Sequence, residues 1–504
     1  MKYVIGIDLG TSAVKVILLN EKGEVALEVS KEYPLIQAKD GYSEQNPQEW
    51  VEKTTIAIKE LVGEFNNDVS LIEGISFSGQ MHGLVLLDEN HNVLRNAILW
   101  NDTRTTEQCK RIYELVGEER LLSITKNPAL EGFTLPKILW VKQYEPETFE
   151  KASVFMLPKD YLRFIMTGHI HSEYSDAAGT LLLNVAEKKW SEEICELVDI
   201  DKNLCPPLVE STANVGTITT TFAEGTGLSP TTKVFAGGAD NACGATGASI
   251  LSEGKTLCSI GTSGVVLSYE ETNDRDFGGK VHYFNHSKEN AFYTMGVTLS
   301  AGYSLSWFRD TFAKGESFAN FLTGLENVPI GSKGLLFTPY LVGERTPHAD
   351  AVIRGSFIGM DASHKRIDFA RAVIEGITFS LRESIEIYRN SGKQIDEIIS
   401  IGGGAKNETW LQIQADIFNA KIIKLTNEQG AAMGAAMLAA YGCGWYSSLE
   451  ECAMTMVNYE KTLEPIKENV KKYDELYSLY KQVYRDTKKL NEGLKAFRNI
   501  KEAD

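Results

Sequence analysis

The chain has 504 residues, 43% of them hydrophobic, and a formal net charge of −17. At roughly 100 to 200 residues per domain, this length predicts two to four domains with substantial cores. The acidic balance, with both signs scattered along the chain, argues against nucleic acid and anionic membranes as partners. The chain starts without a hydrophobic signal core and has no 18-residue apolar run, so we expect a cytoplasmic protein. Seven cysteines without a Cys-x-x-Cys pair predict reduced, mostly packing residues.

Strands and helices alternate in an α/β pattern, which begins with a short sequence motif that occurs twice. Gly6-Ile-Asp-Leu-Gly-Thr-Ser12 opens the chain, and Ser259-Ile-Gly-Thr-Ser-Gly264 repeats its register in the second half. Each copy has an apolar run on both sides of a Gly-Thr-Ser turn, which predicts a β-hairpin. Backbone N–H groups and hydroxyls of such a turn suit a phosphate oxygen. The repeat predicts two similar domains, residues 1–250 and 251–504, with a nucleotide between them. The alternative is two unrelated hairpins that share a common turn.

Further elements follow in chain order. In the first half we predict a third strand near residues 24–33, a helix from 47 to about 65 with Asn46 as its N-cap, strands at 72–77, 84–87 and 234–235, and a small-residue helix over 241–248. In the second half we predict strands to about residue 297, a helix around 305–312, a long helix over 366–389, a strand at 397–401 and a helix over 408–418. The tail, residues 465–497, has apolar residues at helical spacing, which predicts a helix packed on a domain.

Two aspartates are candidate catalytic residues. Asp8 ends a buried strand beside Gly10 and Thr11, where a carboxylate needs a partner such as a hydrated Mg²⁺ that bridges ATP phosphates. Capping of its own turn is the alternative. Asp240 lies where a strand ends and a helix begins. This position suits a helix N-cap, and it equally suits a catalytic carboxylate whose orientation is fixed. Phosphoryl transfer needs little early proton removal, so a weakly basic Asp240 can act as the base for an attacking hydroxyl.

Two glycine-flanked segments are candidate binding sites. Gln80, Met81 and His82 lie between two glycines that permit a sharp bend, so these three side chains are expected to face a cleft and a hydroxyl-rich ligand. Packing of His82 in the core is the alternative. Gly402-Gly-Gly-Ala-Lys-Asn407 precedes a helix, and its glycines leave the backbone open for an adenosine. Close helix packing is the alternative there. The sequence has no complete Walker A loop and no metal-ligand cluster.

The motifs taken together resemble the FGGY carbohydrate kinase family, within the actin-like ATPase superfamily, over nearly the whole chain. They most closely resemble the members that act on xylulose, and the motifs around residues 79–83 and 98–104 carry that preference. One departure is Ala239, where family members often have a third glycine. The motifs are Asp8-Leu-Gly-Thr-Ser12, Gly79-Gln-Met-His-Gly83, Ile98-Leu-Trp-Asn-Asp-Thr-Arg104, Leu157-Pro-Lys-Asp-Tyr161, Tyr174-Ser-Asp-Ala-Ala-Gly-Thr180, Gly237-Gly-Ala-Asp-Asn241, Gly343-Glu-Arg-Thr-Pro-His348 and Gly402-Gly-Gly-Ala405.

The resemblance implies two actin-like (ribonuclease H-like) domains with a cleft between them, and ATP-dependent phosphorylation of D-xylulose to D-xylulose 5-phosphate. It implies that Asp240 accepts the proton of the C5 hydroxyl, that Met81, His82 and Asn241 contact the sugar, and that Asp8 orders Mg²⁺. Phosphates are expected at Gly10, Thr11, Gly261 and Thr262, and adenosine at Gly302, Gly403, Gly404 and Asn407.

Several alternatives stay open at this stage. Within the kinases, the substrate is another pentulose, a polyol or gluconate. Outside them, an actin-like chaperone or filament protein would also carry paired Gly-Thr turns, and a silent sugar sensor would keep the sugar site but lose Asp8 or Asp240, both of which are present. The expected partners are a sugar and ATP. The oligomeric state stays open, with a homodimer as one alternative.

Overall fold

Two sheets, one in each half of the chain, organise the structure, a computed structural model that describes residues 1–426 and 428–501. The strands are β1 Tyr3–Leu9, β2 Ala13–Asn20, β3 Val25–Glu32, β4 Glu44–Gln45, β5 Ile72–Gly79, β6 Val85–Leu87, β7 Ala97–Ile98, β8 Val154–Met156, β9 Ser172–Glu173, β10 Leu183–Asn184, β11 Lys189–Trp190, β12 Leu208–Val209, β13 Asn214–Thr217, β14 Lys233–Phe235, β15 Gly238–Ala239, β16 Lys255–Ile260, β17 Gly264–Glu270, β18 His282–Asn285, β19 Phe292–Thr298, β20 Leu336–Thr338, β21 Ser356–Ile358, β22 Glu397–Gly402, β23 Lys421–Leu425 and β24 Tyr459–Leu463.

Helices lie on the faces of the two sheets, and others lie within the segment that joins β7 to β13. They are α1 Pro47–Glu64, α2 Thr106–Val116, α3 Glu118–Thr125, α4 Thr134–Tyr144, α5 Pro146–Glu150, α6 Pro158–Thr167, α7 Tyr174–Ala177, α8 Glu192–Leu197, α9 Thr220–Thr226, α10 Asp240–Gly247, α11 Gly302–Phe312, α12 Phe318–Phe321, α13 Arg366–Asn390, α14 Glu408–Phe418, α15 Ala431–Gly442, α16 Leu449–Met456 and α17 Lys467–Lys501.

The two sheets repeat one plan. The first has the order β13-β14-β5-β1-β2-β3, with β15 beside β5, and the second has the order β18-β19-β17-β16-β22-β23-β24. In each, a hairpin, β1–β2 or β16–β17, continues into a third antiparallel strand, and its first strand pairs in parallel with β5 or β22. The predicted hairpins and the predicted α/β repeat are therefore confirmed.

This plan puts the carboxyl ends of parallel strands side by side. Asp8 of β1 pairs with Ser78 of β5, and Gly238 of β15 pairs with Ser78 from the other side. In the second sheet Ile260 pairs with Gly402 at the ends of β16 and β22. Ligands of open α/β sheets bind at such ends, so each half of the chain presents one edge to a ligand.

Helix α15 lies outside the half of the chain to which its sequence belongs. It follows β23 of the second sheet but contacts β1, β2 and β5 of the first sheet, together with α10. Its residues are almost all small or apolar, which is typical of a helix buried on every side. The division of the chain at residues 250 and 251 stays a prediction, and within it α15 is a part of the second segment that packs on the first sheet.

Most predicted elements lie within a few residues of the observed ones. Asn46 caps α1 and accepts a hydrogen bond from the Gln48 backbone N–H at 3.1 Å, as predicted. Helix α11 begins earlier than predicted, because the N–H groups of Gly302 and Tyr303 donate to the second phosphate turn. The cap of α10 is Ala239, so Asp240 is the first helical residue, and the N-cap interpretation of Asp240 is wrong.

The tail and the cysteines agree with their predictions. Helix α17 packs on the second half with Tyr473 and Tyr480 fully buried. All seven cysteines are free thiols. Among the described residues, no helix combines the length and the apolar character needed to cross a membrane.

Candidate functional site

The first phosphate turn follows Asp8 at the end of β1. The Gly10 N–H donates to the Ala13 carbonyl at 3.1 Å, which closes the turn. The Ser78 hydroxyl donates to Asp8 Oδ1 at 2.9 Å. Burial raises the pKa of Asp8, while Ser78 and Lys15 oppose that shift. One carboxylate oxygen of Asp8 thus has a donor, and the other carries no hydrogen bond from a described residue.

Two glutamine side chains hold the turn from below. Gln45 Nε2 donates to the Thr11 carbonyl at 2.6 Å, and Gln80 Nε2 donates to the Gly10 carbonyl at 3.3 Å and to Gln45 Oε1 at 3.1 Å. The expectation that Gln80 faces the cleft is wrong, since its side chain is buried beneath the turn. Because the carbonyl oxygens are bonded underneath, they are kept away from the phosphate that the turn is predicted to bind.

We expect Gln45→Met to weaken binding of ATP and ADP about 10-fold and to leave adenosine binding unchanged, because a lost buried hydrogen bond costs roughly 1–3 kcal/mol. Titration calorimetry with the three ligands measures this difference. Gln48→Met is the matched control, since that side chain is three residues further along the chain, at the start of α1, and is exposed. Equal weakening of adenosine and ATP binding would show a general structural effect instead.

Asp240 opens α10, and its carboxylate is bonded to the neighbouring residue Asn241. Its Oδ1 accepts from the Asn241 backbone N–H at 2.7 Å and from Asn241 Nδ2 at 2.9 Å. Burial, and then the negative charge of Asp8, raise the pKa of Asp240 to about 7, against these two hydrogen bonds. The two catalytic candidates therefore lie close enough to interact. A carboxyl group with a pKa near neutrality is suited to accept a proton from a substrate.

Met81 and His82 form a wall next to Asp240. The Met81 thioether accepts from Asn241 Nδ2 at 3.8 Å and from the Tyr293 hydroxyl at 3.9 Å. His82 has a positive φ of 68°, and its Nδ1 is 2.6 Å from the Gly179 carbonyl. Burial lowers the pKa of His82 to about 3, with Lys137 adding to the shift. Since Nδ1 of this neutral ring donates to Gly179, Nε2 is left as an acceptor for a ligand hydroxyl.

Aromatic residues from both halves of the chain complete this wall, and the sequence did not single them out. Phe133 lies 4.6 Å from the His82 ring centroid, and Phe284 lies 6.1 Å from it. Tyr293 comes from β19 of the second sheet and is fully buried. Gly179 belongs to a motif that the sequence did contain, whereas Phe284 and Tyr293 are far along the chain and carry no local signal.

The glycines predicted to bind adenosine surround one cavity of about 490 Å³ in the second half. Its polar floor is the turn after β16, the start of α11 and the turn after β22. Its apolar side is made by α11, α12 and α14, which the sequence did not predict as lining. The lining includes the predicted residues Gly261, Thr262, Gly302, Gly403, Gly404 and Asn407, together with Leu305, Phe318, Leu322 and Trp410.

Close backbone contact explains why glycine stands at the start of α11. The Gly302 N–H donates to the Gly261 carbonyl at 2.8 Å, and the Tyr303 N–H donates to the Thr262 carbonyl at 3.1 Å. A Cβ on Gly302 would overlap the Gly261 carbonyl oxygen. The second phosphate turn and the helix thus form one unit at the mouth of the cavity.

The donor set fits a cation that is held chiefly by its substrate. In residues 1–426 and 428–501, no three His, Cys, Asp or Glu side chains come together in a way that could hold a metal ion. Mg²⁺ in phosphate-transfer sites is often bound by one or two carboxylates, with phosphate oxygens and water as its other ligands. Asp8, with one unbonded carboxylate oxygen beside the phosphate turn, fits that arrangement.

Comparisons with known proteins cover the whole arrangement. The FGGY family of carbohydrate kinases, N-terminal domain, matches residues 3–247, and the C-terminal domain of the same family matches residues 256–443. The xylulose kinase of Bacillus subtilis (strain 168) is 65% identical over 498 residues, which are 99% of this chain and 100% of the relative.

Two solved structures from Lactobacillus acidophilus have the same fold. The ligand-bound xylulose kinase is 29% identical, with a TM-score of 0.92 over 97% of this chain and 98% of its own. The gluconate kinase is also 29% identical, with a TM-score of 0.91 over 96% of this chain and 98% of its own. These matches confirm the predicted fold of two actin-like domains. They do not distinguish xylulose from gluconate as the substrate.

Proposed function

This chain belongs to the FGGY family of carbohydrate kinases, and we propose that it transfers the γ-phosphoryl group of ATP to the C5 hydroxyl of D-xylulose. The observation that carries the choice of sugar is the 65% identity to a xylulose kinase over nearly the entire chain. The contacts of Met81, His82 and Asn241 support it, because they place neutral hydrogen-bonding groups beside a carboxyl base.

Asp240 is the general base in this proposal. Its carboxylate takes the C5 hydroxyl proton as the oxygen attacks phosphorus, a role that a weak base can fill when the transition state is loose. Asn241, bonded to the same carboxylate at 2.9 Å, holds a neighbouring hydroxyl in register. His82 Nε2 accepts from another hydroxyl, and the fixed rings around it prevent that acceptor from turning away.

Asp8 would hold Mg²⁺ through its unbonded oxygen, and the cation would supply positive charge to the phosphates of ATP. The turns at Gly10–Thr11 and Gly261–Thr262 bind those phosphates from the two halves of the chain. Adenosine lies in the cavity bounded by Gly302, Gly403 and Asn407. The two halves close on the substrates and exclude water, which limits wasteful hydrolysis of ATP.

The purified protein is expected to release ADP from Mg-ATP at a rate that depends strongly on D-xylulose. A coupled assay compares D-xylulose with ribulose, gluconate, glycerol and no sugar. Gluconate is the second candidate, because the gluconate kinase structure matches this chain as well as the xylulose kinase structure does. A higher kcat/KM with gluconate would replace the substrate and keep the mechanism. Turnover that is independent of any sugar would contradict the kinase assignment.

A further inference from the structure

The loop Gly343–His348 carries a charged side chain that the proposed mechanism does not use. Arg345 is half-buried, and its guanidinium has no hydrogen-bond or ion-pair partner among the described residues. Buried charges in proteins are normally paired, because an isolated charge away from water is costly. An unpaired, half-buried arginine therefore points to a partner that is not part of the chain.

Hydrogen bonds on both sides of Arg345 hold the backbone of this residue in one position. The Glu344 carboxylate accepts from the N–H groups of Leu299 and Arg345, at 2.9 and 2.8 Å, and from the Ser380 hydroxyl at 3.1 Å. On the other side, the Thr346 N–H donates to the Val297 carbonyl at 2.9 Å. The loop is thereby tied to β19 and α13 on both sides of Arg345.

Arg345 faces an acidic side chain from the first half across a gap. Both Arg345 and Glu131 line a cavity of about 510 Å³ between the two halves, together with His282. Glu131 raises the pKa of Arg345 against the larger lowering by burial, so the two charges lie near each other. They form no ion pair, which leaves space between them for a ligand.

This gap adjoins the sugar wall. Lys137 Nζ donates to the carbonyls of His82 at 2.9 Å and Gly132 at 2.5 Å, so it ties the Glu131 segment to His82. The Phe133 ring lies between His82 and His282, at 4.6 and 5.7 Å. Arg345 is also close enough to contribute to the lowered pKa values of both histidines, in which burial is the largest cause.

We propose that Arg345 is a specificity-determining residue that donates hydrogen bonds to the carbonyl end of an open-chain ketose, opposite Glu131. The inference rests on the proposed function, in which Asp240 and Asn241 hold the C5 end. The C2 carbonyl and C1 hydroxyl then lie at the other end of the sugar, beyond His82. A guanidinium offers several fixed donors to the carbonyl oxygen, and the Glu131 carboxylate accepts from the C1 hydroxyl.

Arg345→Met tests the contact, with xylitol as the probe because it has a C2 hydroxyl in place of the carbonyl. A site that bonds a specific polar group discriminates strongly against a ligand that lacks it. We expect KM for D-xylulose to rise about 30-fold, from loss of a charged hydrogen bond. The inhibition constant of xylitol is expected to change less than about 3-fold, and KM for ATP to stay unchanged.

Two further variants separate this role from folding and from general charge. Lys280→Met removes an exposed cation from the same cavity and is expected to behave like the wild type. Arg345→Lys keeps the charge and is expected to fall between the wild type and Arg345→Met in KM for D-xylulose. Thermal unfolding and ADP binding, unchanged from the wild type in each variant, show that the fold is intact.

Three outcomes would overturn the inference. They are a KM for D-xylulose in Arg345→Met that equals that of Lys280→Met, an equal loss for D-xylulose and xylitol, and recovery of D-xylulose turnover in the exchange Arg345→Glu with Glu131→Arg. The last result would identify a direct ion pair that closes the cleft. Wild-type turnover with D-xylulose in the same assay tests the proposed function by itself, so the two failures are distinguishable.

Discussion

Asp240→Asn is expected to lower kcat with D-xylulose by about 10³-fold, in the range that general base catalysis contributes. Asparagine has nearly the same shape and keeps an oxygen for the Asn241 donors, but it cannot accept the C5 hydroxyl proton. Because the adenosine cavity is formed by the second half of the chain, we expect ATP affinity to remain nearly intact. Steady-state kinetics and titration calorimetry measure the two effects separately. Loss of both activity and ATP binding would contradict the base role.

The unfolding temperature of the same variant is expected to differ from that of the wild type in a pH-dependent way, which also shows that the variant is folded. In the free protein, burial and then the charge of Asp8 raise the pKa of Asp240 to about 7, above its usual value. A raised pKa means that the folded state binds the proton more tightly, so stability is lost as the pH rises through about 7. We therefore expect Asp240→Asn to unfold at a higher temperature than the wild type in metal-free alkaline buffer. This difference should shrink as the pH falls toward the unfolded pKa of about 4.

Gly434→Ala is expected to reduce the free energy of unfolding by about 3 kcal/mol, as overpacking of a tight core does. Gly434 lies in α15, and a Cβ there would overlap the Cys243 carbonyl oxygen of α10. Helix propensity alone favours alanine by about 1 kcal/mol, so the two effects have opposite signs. We expect packing to prevail, because the obstruction is backbone rather than a flexible side chain.

Urea unfolding measures the change, and Gly493→Ala is the matched control. Gly493 lies in α17, where an added Cβ meets nothing within 4 Å. That substitution is expected to stabilise the protein by about 0.5–1 kcal/mol through propensity and reduced chain entropy. If Gly434→Ala were stabilising to the same extent, α15 and α10 would not be in the close contact described above.

Local sequence predicted the parts of the site that depend on one turn. The two hairpins, the Asn46 cap and the bounds of α14 follow from residues within a few positions of each other. The six residues of the second half that were expected to bind the nucleotide lie together around one cavity, although their roles stay predictions. They could be grouped in advance because parallel strands bring their carboxyl ends to one edge, whatever lies between them in sequence.

The parts that escaped prediction depend on contacts between distant segments. The sequence predicted that Gln80 contacts a ligand beside Met81 and His82. Instead, its side-chain amide donates a hydrogen bond to Gln45, a residue on another strand. Tyr293 reaches Met81 from the second sheet, and the gap that Arg345 faces is formed with Glu131 of the first half. No periodicity or motif reports such pairings, because each partner's sequence is also compatible with an ordinary surface or core position.

The late position of helix α15 in the sequence affects how the chain folds while it is being synthesised. The strands and helices of the first sheet leave the ribosome early, but the helix that covers β1, β2 and β5 is made only after the second sheet is nearly complete. Until then the apolar face of the first sheet is open, and it exposes surface that favours association with other nascent chains. The first sheet therefore cannot be completed as a separate fragment from residues 1–250, and expression of that fragment calls for residues 431–442 to be supplied alongside it.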